Sequence, residues 1–292
     1  MKIGLFAINY GTCADPEQSV RVARYAEAAG FESVWTGEHL VLPDPQPPGF
    51  SMPPTLPLLD TVVALTLVAA HTTTIKLGSG IVVLPLRNPV VLAKELASVD
   101  VVSGGRLIAG FGAGYVPAEF AAVGIPLAER GARTADYIRA IRALWSMDRP
   151  EYHGRYAAFE GIDAHPRPVQ RPGPPIVLGG EAPAALRRAV LMADGWYGFN
   201  LDPAETAECV HTLDRLRDQR PPELGRLSIT VTPSGPVDKA SVERYAELGV
   251  DRLVLLPRPD APPGERHRPV PVEQILHAID RAAAEIIDGF DA

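Results

Sequence analysis

The chain has 292 residues, of which 46% are hydrophobic and 22% charged, and its formal net charge is −7. This length supports one large core, and the acidic balance excludes a general nucleic-acid-binding surface, which needs a basic stripe. No apolar run is long enough to span a membrane, no signal-peptide pattern precedes the first strand, and Cys13 and Cys209 are too few for a disulfide framework. We therefore expect a cytoplasmic protein with reduced thiols that acts on a small molecule.

The chain repeats one unit, a buried strand followed by a helix. The first predicted strand, Lys2–Ile8, leads to a helix that Asp15 caps and that stops at Gly30. The later predicted strands are Ser33–Thr36, Ile75–Leu84, Arg106–Phe111, Pro175–Leu178, Gly195–Phe199, Leu227–Thr232 and Arg252–Leu256. Eight such units without a domain-scale linker favour a closed α/β fold, the (β/α)8 TIM barrel, over an open doubly wound sheet. We expect one domain over residues 1–292.

Two insertions interrupt this alternation. Val41–Pro57 is rich in proline and follows strand 2, whereas Ser146–Pro174 precedes strand 5 and contains a predicted hairpin at Tyr152–Phe159. Barrel active sites are built from the loops at the carboxyl ends of the strands. The first insertion is therefore expected on the functional face, and the hairpin nearer the opposite end unless it folds over.

Polar residues and glycines concentrate at the predicted carboxyl ends of the strands. Successive strands deliver Asn9-Tyr10, Glu38-His39, Ser79–Val83, Gly110–Tyr115, Gly179-Gly180-Glu181 and Asn200. Glu38-His39 is the best catalytic candidate, because an imidazole titrates near neutral pH and a neighbouring carboxylate can orient it or bond a ring edge. A strand-end histidine capped by its neighbour is the structural alternative.

The glycine segments differ in how strongly each one indicates a ligand site. Gly78 and Gly80 weaken a buried strand unless a bend or a close ligand requires them. Gly110–Gly114 matches a dinucleotide fingerprint only superficially, and a tight turn explains it more simply. Gly179-Gly180 is the stronger candidate for a phosphate site, because unhindered amides at a helix N-terminus bind anions. An ordinary glycine turn is the structural alternative for this segment.

Other candidate chemistry is weaker. No metal site is predicted, because the remaining helical histidines lack partner ligands at metal spacing: His71, His211 and His277. Three side chains could line a binding site for an aromatic ligand: Tyr115, Phe50 and Met52. Trp35 is expected in the core instead. No nucleophile elbow or Walker loop appears.

Several motifs together resemble the bacterial luciferase-like monooxygenase superfamily. They extend from residue 1 to about residue 200 and comprise Met1–Phe6, Ala28–Trp35, Leu77–Pro89, Asp100–Ile108, Gly112–Tyr115 with Glu119-Phe120, and Pro175–Gly180. Gly37-Glu38-His39 is most similar to the branch that uses the deazaflavin coenzyme F420. The resemblance implies a barrel with an insertion ahead of strand 5, and a homodimer.

The resemblance also implies roles for individual residues. His39 would donate or accept a proton, with Glu38 bonded to the ring edge or the imidazole. The implied cofactor contacts are Ser79, Gly80, Ile81, Gly112, Ala113, Gly114, Tyr115, Gly179, Gly180 and Glu181, and the predicted substrate contacts are Asn9, Tyr10 and Phe50. The third strand should be irregular within Ser79–Val82, with a non-proline cis peptide at Ser79-Gly80 or Gly80-Ile81. A side chain at Gly80 should fill the space where the ring approaches, or forbid the dihedral angles that the bulge needs.

The expected function is that of an F420-dependent oxidoreductase, which transfers a hydride between the cofactor and a small organic substrate. Tyr115 stands where some deazaflavin dehydrogenases have a glutamate, which argues against sugar-phosphate chemistry. Basic candidates for the acidic F420 tail are Arg258, Arg266 and Arg268. An FMN-dependent monooxygenase, a barrel hydrolase that uses Glu38 and His39, and a non-catalytic flavin-binding protein remain alternatives.

Overall fold

The computed structural model of the chain describes residues 1–258, 261, 265 and 268–287. The strands within these residues are β1 (Lys2–Leu5), β2 (Ser33–Thr36), β3 (Lys76–Ser79), β4 (Val82–Val83), β5 (Leu107–Gly112), β6 (Tyr152–His153), β7 (Ala158–Phe159), β8 (Ile176–Gly179), β9 (Gly195–Leu201), β10 (Ser228–Pro233) and β11 (Arg252–Leu255). The helices are α1 (Pro16–Ala28), α2 (Thr61–His71), α3 (Pro89–Ser103), α4 (Pro117–Ala122), α5 (Arg130–Ser146), α6 (Pro183–Met192), α7 (Pro203–Arg215), α8 (Lys239–Glu247) and α9 (Val272–Ala282).

A parallel sheet closes on itself and forms the barrel. Going round it, β1, β2, β3 with its continuation β4, β5, β8, β9, β10 and β11 pair in turn, and β11 pairs again with β1. The predicted (β/α)8 TIM barrel is therefore confirmed. The two insertions lie where they were predicted, after β2 and ahead of β8.

Local sequence explains where the helices begin. The Asp15 side chain accepts a hydrogen bond from the Gln18 amide at 3.0 Å, and Pro16 occupies the first turn of α1. The Asp202 side chain likewise accepts from the Glu205 amide in a full capping box. Because both devices satisfy amides that a helix leaves unpaired at its start, they define these boundaries from short-range interactions alone.

The hairpin of the second insertion is fastened to α5. β6 and β7 pair antiparallel, as predicted, with Tyr152 opposite Phe159. The Asp136 carboxylate accepts hydrogen bonds from the Tyr152 hydroxyl at 2.7 Å and from the Tyr156 amide at 2.8 Å. One carboxylate from a barrel helix therefore anchors the hairpin.

Two apolar layers surround the strands, one inside the barrel and one between the strands and the helices. Trp35 is fully buried in the inner layer, as expected. A Cβ added to Gly78 would lie 2.3 Å from the Trp35 ring, so this glycine is needed for core packing rather than for a bend or a ligand. Among the described residues, no helix has the length and apolar character that crossing a bilayer requires.

The loop between α2 and β3 depends on a carboxylate from α1. Glu27 accepts hydrogen bonds from the amides of Thr73, Thr74 and Ile75 at 2.6 to 2.9 Å. Partial burial acts to raise the pKa of Glu27, but these hydrogen bonds outweigh it and lower the pKa to about 2. The carboxylate is therefore a charged acceptor that holds the loop against α1.

We expect Glu27→Ala to lower the free energy of unfolding at neutral pH by about 1–3 kcal/mol, because three amides lose their acceptor. A depressed folded-state pKa stabilises the protein fully above the unfolded value, near 4.5, and the effect is lost as pH falls towards 2. Urea denaturation of parent and variant between pH 7 and pH 3 measures this. A stability difference that stays constant over that range would contradict the assignment.

Candidate active site

The third strand changes register where the cofactor support was predicted. Gly78 pairs with Ile108, and Val82 pairs with Phe111, so four steps along the third strand oppose three along β5. One extra residue in a strand is a β-bulge. The peptide between Gly80 and Ile81 is cis. The predicted irregularity within 79–82 is confirmed, as is the cis peptide at one of the two predicted positions.

The bulge is fastened to β5 through Ser79. The Ser79 hydroxyl donates to the Gly110 carbonyl at 2.9 Å and accepts from the Gly110 amide at 2.7 Å. Ser79 is fully buried, so its side chain serves the sheet rather than facing a ligand. A Cβ on Gly110 would lie 1.8 Å from the Ser79 carbonyl oxygen, and one on Gly112 would lie 2.3 Å from Ile81. These glycines of β5 are thus required by the close approach of the bulge.

Ile81 covers the end of the barrel beside the bulge. Its side chain is partly exposed, and a Cβ on Gly179 would lie 3.2 Å from it. Ile81 therefore forms an apolar surface over the ends of β5 and β8. A Cβ on Gly80 would instead lie 3.0 Å from the rings of Phe6 and Tyr197 inside the barrel. The expectation that a side chain at Gly80 would fill the space of the ring is wrong, because that position faces the core.

Glu38 and His39 take partners on different sides of the chain, as neighbours in an extended segment do. The buried Glu38 carboxylate accepts from the Val83 amide at 2.5 Å and forms an ion pair with Arg87. Arg87 also bonds the Asp60 carboxylate at 2.5 Å. The predicted contact of Glu38 with the imidazole is therefore corrected. Glu38 connects β4 to the start of α2 below the site.

Charges in this network compensate one another. Burial acts to lower the pKa of Arg87, but the charge of Glu38 and the hydrogen bond to Asp60 outweigh it and raise the pKa. Burial likewise acts to raise the pKa of Asp60, and its hydrogen bond to Arg87 outweighs that effect and lowers the pKa. One guanidinium thus holds two carboxylates together.

Glu119 is the actual partner of His39. Its carboxylate lies 3.1 Å from His39 Nδ1, and its second oxygen accepts from the Leu40 amide at 2.8 Å. The side chain of Glu119 is 1% exposed and that of His39 is 10% exposed. A carboxylate that bonds one ring nitrogen determines the ring orientation and leaves the other nitrogen, Nε2, for chemistry. Among the described residues, none forms a hydrogen bond with Nε2.

Sequence reasoning missed this role of Glu119. The residue stood in one of the motifs that carried the family resemblance, but 80 positions separate it from His39. Its place in the first turn of the short helix α4 is a weak signal, because acidic residues are common there for helix-dipole reasons. Only the closure of the barrel brings the two side chains together.

Aromatic side chains surround the imidazole. The ring centroids of Phe50 and Tyr115 lie 5.9 Å and 6.1 Å from that of His39, both edge to face. Across the mouth of the barrel, Phe199 packs on Phe6 at 5.1 Å. Tyr115 is 68% exposed and Phe199 is 39% exposed. The mouth therefore offers partly exposed aromatic rings of the kind that pack against a planar ligand.

Two predicted substrate contacts lie below the mouth instead. Asn9 is fully buried, and its side-chain amide donates to the carbonyls of Gly37 and Leu59 at 2.8 Å, while its oxygen accepts from the Gly37 amide. Tyr10 is buried against Phe6, and burial raises its pKa. Both residues brace the segment that carries His39, so a direct contact with substrate is corrected to an indirect role.

The predicted phosphate loop has an open helix end. Gly180 has φ of +113°, and its carbonyl accepts from the Trp196 indole at 3.0 Å. The N-cap of α6, Ala182, provides no side-chain cap. Pro183 has no N–H and the Ala185 amide donates to the Ala182 carbonyl, so the Ala184 amide is the one in the first turn that could bind an anion. The Glu181 carboxylate accepts a hydrogen bond from the Phe199 amide at 3.2 Å. The loop can therefore offer backbone amides, but not the Glu181 side chain, to an anion.

The neighbouring strand-end loop after β5 is also shaped by close packing. Gly114 has φ of +76°, a left-handed conformation, and a Cβ there would lie 2.4 Å from Val83. Ala113 is partly exposed beside it. The loop therefore turns tightly over β4 and presents Tyr115 to the solvent side of His39.

Two of the three arginine candidates for an acidic tail lie within the described residues. Arg258 donates to the Glu265 carbonyl at 3.0 Å, Arg268 is exposed, and Arg266 lies outside the described residues. A cavity of about 170 Å³ lies elsewhere, between β10, β11 and α9, and contains none of the predicted site residues. In the part of the chain that the structure describes, no cluster of three or more His, Cys, Asp or Glu side chains could hold a metal ion.

The chain is 31% identical over 247 residues to the uncharacterised protein Rv0940c of Mycobacterium tuberculosis, which covers 81% of this chain and 83% of that protein. It is 36% identical over 121 residues to the FMNH2-dependent dimethylsulfone monooxygenase of Pseudomonas putida, covering 40% of this chain and 33% of that enzyme.

A similar solved structure is that of the coenzyme F420-dependent tetrahydromethanopterin reductase of Methanopyrus kandleri. Its TM-score is 0.74 at 18% identity, and the alignment covers 99% of each chain, which shows a common fold. The model of the luciferase-like monooxygenase family matches residues 1–272. The chain therefore belongs to the luciferase-like monooxygenase family and is an oxidoreductase or monooxygenase.

Proposed function

We propose that this protein is an F420-dependent oxidoreductase that transfers a hydride between the deazaflavin and a small organic substrate. The observation that carries the proposal is the His39 imidazole, which Glu119 holds at Nδ1 beside the bulge of the third strand. The similarity in fold to an F420-dependent reductase over 99% of both chains supports the choice of cofactor.

The residues at the mouth fit a planar cofactor. Ile81 provides an apolar support, and the partly exposed rings of Tyr115 and Phe199 provide aromatic contact. The amides of Gly179 and Gly180 would hold the phosphate of the side chain, since anions bind at open helix N-termini. When bound, the deazaflavin supplies the hydride-transfer chemistry, and the protein supplies position and electrostatics.

In this proposal the side chains of the protein orient the imidazole, exclude water from it and support the bulge. Glu119 keeps the His39 ring in one orientation, so that Nε2 can exchange a proton with the substrate. Phe50 and Tyr115 pack against the imidazole and exclude water from it. Arg87 and Glu38 hold the Val83 amide, and thereby the end of the bulge, in place.

An FMN-dependent monooxygenase is the second candidate. The 36% identity with an FMNH2-dependent monooxygenase over 121 residues favours it, and a phosphate loop suits either cofactor. Titration of the purified protein with F420 and with FMN, followed by fluorescence, separates the two. Tighter binding of F420, with hydride transfer to or from a substrate, supports the first proposal. Binding of reduced FMN with oxygen consumption supports the second, and tight binding without turnover of any substrate contradicts both.

The phosphate loop is tested at Gly180. Its φ of +113° disfavours any side chain, and a Cβ would press on Ala185 at 3.1 Å, at the first turn of α6. We expect Gly180→Ala to weaken cofactor binding by about tenfold or more, because a shift of this peptide misaligns the amides. Gly249→Ala is the control, since Gly249 has φ of +82° in open space away from the mouth. Equal cofactor affinity of Gly180→Ala and the parent would show that the loop is wrongly assigned.

We also propose a homodimer that forms through α2 and α3. These helices pack on each other, and they leave valines exposed: Val63, Val91, Val101 and Val102. Exposed apolar patches of this kind mark interaction surfaces. We expect the double variant Val91→Lys, Val102→Lys to be monomeric by light scattering, whereas Ile162→Lys, at an exposed residue of the second insertion, stays dimeric. A monomeric parent, or a dimeric double variant, would refute this interface.

The cytoplasmic location and the single-domain organisation over residues 1–292 remain part of the proposal. Cell fractionation tests the location, and the cooperativity of unfolding tests the domain count. Two separate unfolding transitions would indicate more than one domain.

A further inference from the structure

Two side chains at the barrel mouth are carried on strained backbone. Among the described residues, the non-glycine residues with a left-handed conformation are Ala7, with φ of +73°, and Asn200, with φ of +59°. Such a conformation costs free energy and persists where the surrounding structure holds it, often at a functional site. Each of the two follows a phenylalanine, Phe6 and Phe199, and these two rings pack on each other with centroids 5.1 Å apart.

The strained residue in β9 belongs to a second β-bulge. Phe199 pairs with Thr232 and Leu201 pairs with Pro233, so Asn200 is the extra residue between them. In a regular strand Phe199 and Leu201 would face the same side. The bulge instead takes Leu201 into the apolar layer outside the barrel and leaves Phe199 exposed at the mouth. The strain therefore presents the Phe199 ring.

The contacts of Phe6 show where the Phe199 ring lies. A Cβ on Gly37 would lie 3.4 Å from the Phe6 ring, and a Cβ on Gly80 would lie 3.0 Å from it. Phe6 therefore lies between the segment that leads to His39 and the bulge of the third strand, and Phe199 packs against it. Residues two apart in an extended segment lie on one side and about 7 Å apart, so Phe199 and His39 line the same part of the mouth.

We propose that the substrate packs against Phe199, and that it is an uncharged carbonyl compound or alcohol that carries a ring. Phe199 is 39% exposed, so the apolar surface of a ring placed on it leaves water, and aromatic rings also pack favourably on each other. A carboxylate or phosphate placed on these rings would instead lose its hydration. Phe199 is thus the residue that selects the substrate.

The inference rests on the proposed function, in that His39 is the acid–base group and the deazaflavin is the hydride carrier. The carbonyl carbon accepts the hydride as its π bond to oxygen breaks, and the oxygen takes the proton from His39 Nε2. The products are the alcohol and the oxidised cofactor, and the reverse reaction oxidises an alcohol. Phe199 transfers neither particle, so its replacement should change which molecules bind.

The test measures dissociation constants by titration calorimetry for acetophenone, acetone and benzoylformate, with each variant saturated with the oxidised cofactor that the parent binds. Acetone lacks the ring of acetophenone, and benzoylformate carries a carboxylate in place of its methyl group. We expect the parent to bind acetophenone at least about tenfold tighter than either. Phe199→Ala should weaken acetophenone binding by about tenfold and acetone binding by less than about twofold. Phe199→Tyr should retain the preference of the parent.

Two control variants separate the ring from its surroundings. Tyr25→Ala removes an aromatic side chain that is 38% exposed but lies on α1, and it should leave all three constants at the parent values. Asn200→Gly should bind acetophenone like the parent, because glycine keeps the left-handed backbone that presents Phe199. A loss in Asn200→Gly as large as that in Phe199→Ala would show that the Asn200 side chain holds the substrate, and would contradict the inference.

The remaining outcomes distinguish this inference from the proposed function. Equal affinity of the parent for acetophenone and acetone, a preference for benzoylformate, or an equal loss for both ketones in Phe199→Ala overturns the inference alone. So does binding of a cofactor without binding of acetophenone. If the parent binds neither F420 nor FMN, the same titrations use the ligand-free protein. Acetophenone binding that depends on Phe199 would then leave the ring site standing while the proposed function fails.

Discussion

Replacing His39 with alanine is expected to lower turnover by roughly 10²-fold or more, because positioned acid–base groups contribute at least that factor to proton transfer. Cofactor affinity should change little, since the proposed supports of the ring and phosphate lie on other elements. Single-turnover rates measure the chemical step with a substrate found in the cofactor screen, and fluorescence titration measures binding.

Further variants make this expectation specific. His39→Asn keeps a donor at the position of Nδ1 for the buried Glu119 carboxylate but cannot exchange a proton, so it should be as slow as alanine while unfolding like the parent. Glu119→Gln should lower the rate less and change its pH dependence, because it acts through the orientation of the ring. His71→Ala, at an exposed histidine at the end of α2, is the control. An unchanged chemical rate in His39→Ala would remove His39 from the mechanism.

Arg87→Met is expected to lower the free energy of unfolding by about 3–5 kcal/mol, the usual effect of removing one partner of a buried ion pair. The reason is that Glu38, whose side chain is 1% exposed, would lose its ion-pair partner, and Asp60 would lose its hydrogen bond. Burial already raises the pKa of Glu38, and without Arg87 it would rise further, so the buried carboxyl would have to take up a proton or remain as an unpaired charge. Chemical denaturation at neutral pH measures the change.

The control for Arg87 is Arg21→Met. Arg21 pairs with Glu273, and the two side chains are 48% and 61% exposed, so this change should stay within about 0.5 kcal/mol. If Arg87→Met is as stable as Arg21→Met, the buried network contributes nothing and Glu38 is free for another role. Cofactor affinity should also fall in Arg87→Met, because the Val83 amide that ends the bulge loses its fixed acceptor.

The glycines illustrate the limit of reasoning from one sequence. Gly78 and Gly80 were recognised as unfavourable in a core strand, and the bulge that the family resemblance implied between Ser79 and Val82 is present. Their separate reasons were not visible, because Gly78 makes room for Trp35 and Gly80 faces Phe6 and Tyr197. These contacts join strands that are distant in the chain, and a pattern of residue types does not encode which side chain fills which space.

The order of strands and helices, and therefore the barrel, followed from the sequence alone, because periodicity, capping residues such as Asp15 and turn glycines act over a few positions. The segments at the mouth followed for the same reason, since parallel strands in a barrel end on one face. Only the tertiary structure decided the partners within the site. Glu38 forms an ion pair with Arg87, and His39 lies against the Glu119 carboxylate. The Arg188 guanidinium lies against Gly131. Such pairings depend on distances between side chains that barrel closure brings together. They also depend on burial, because a buried charge without a partner costs free energy.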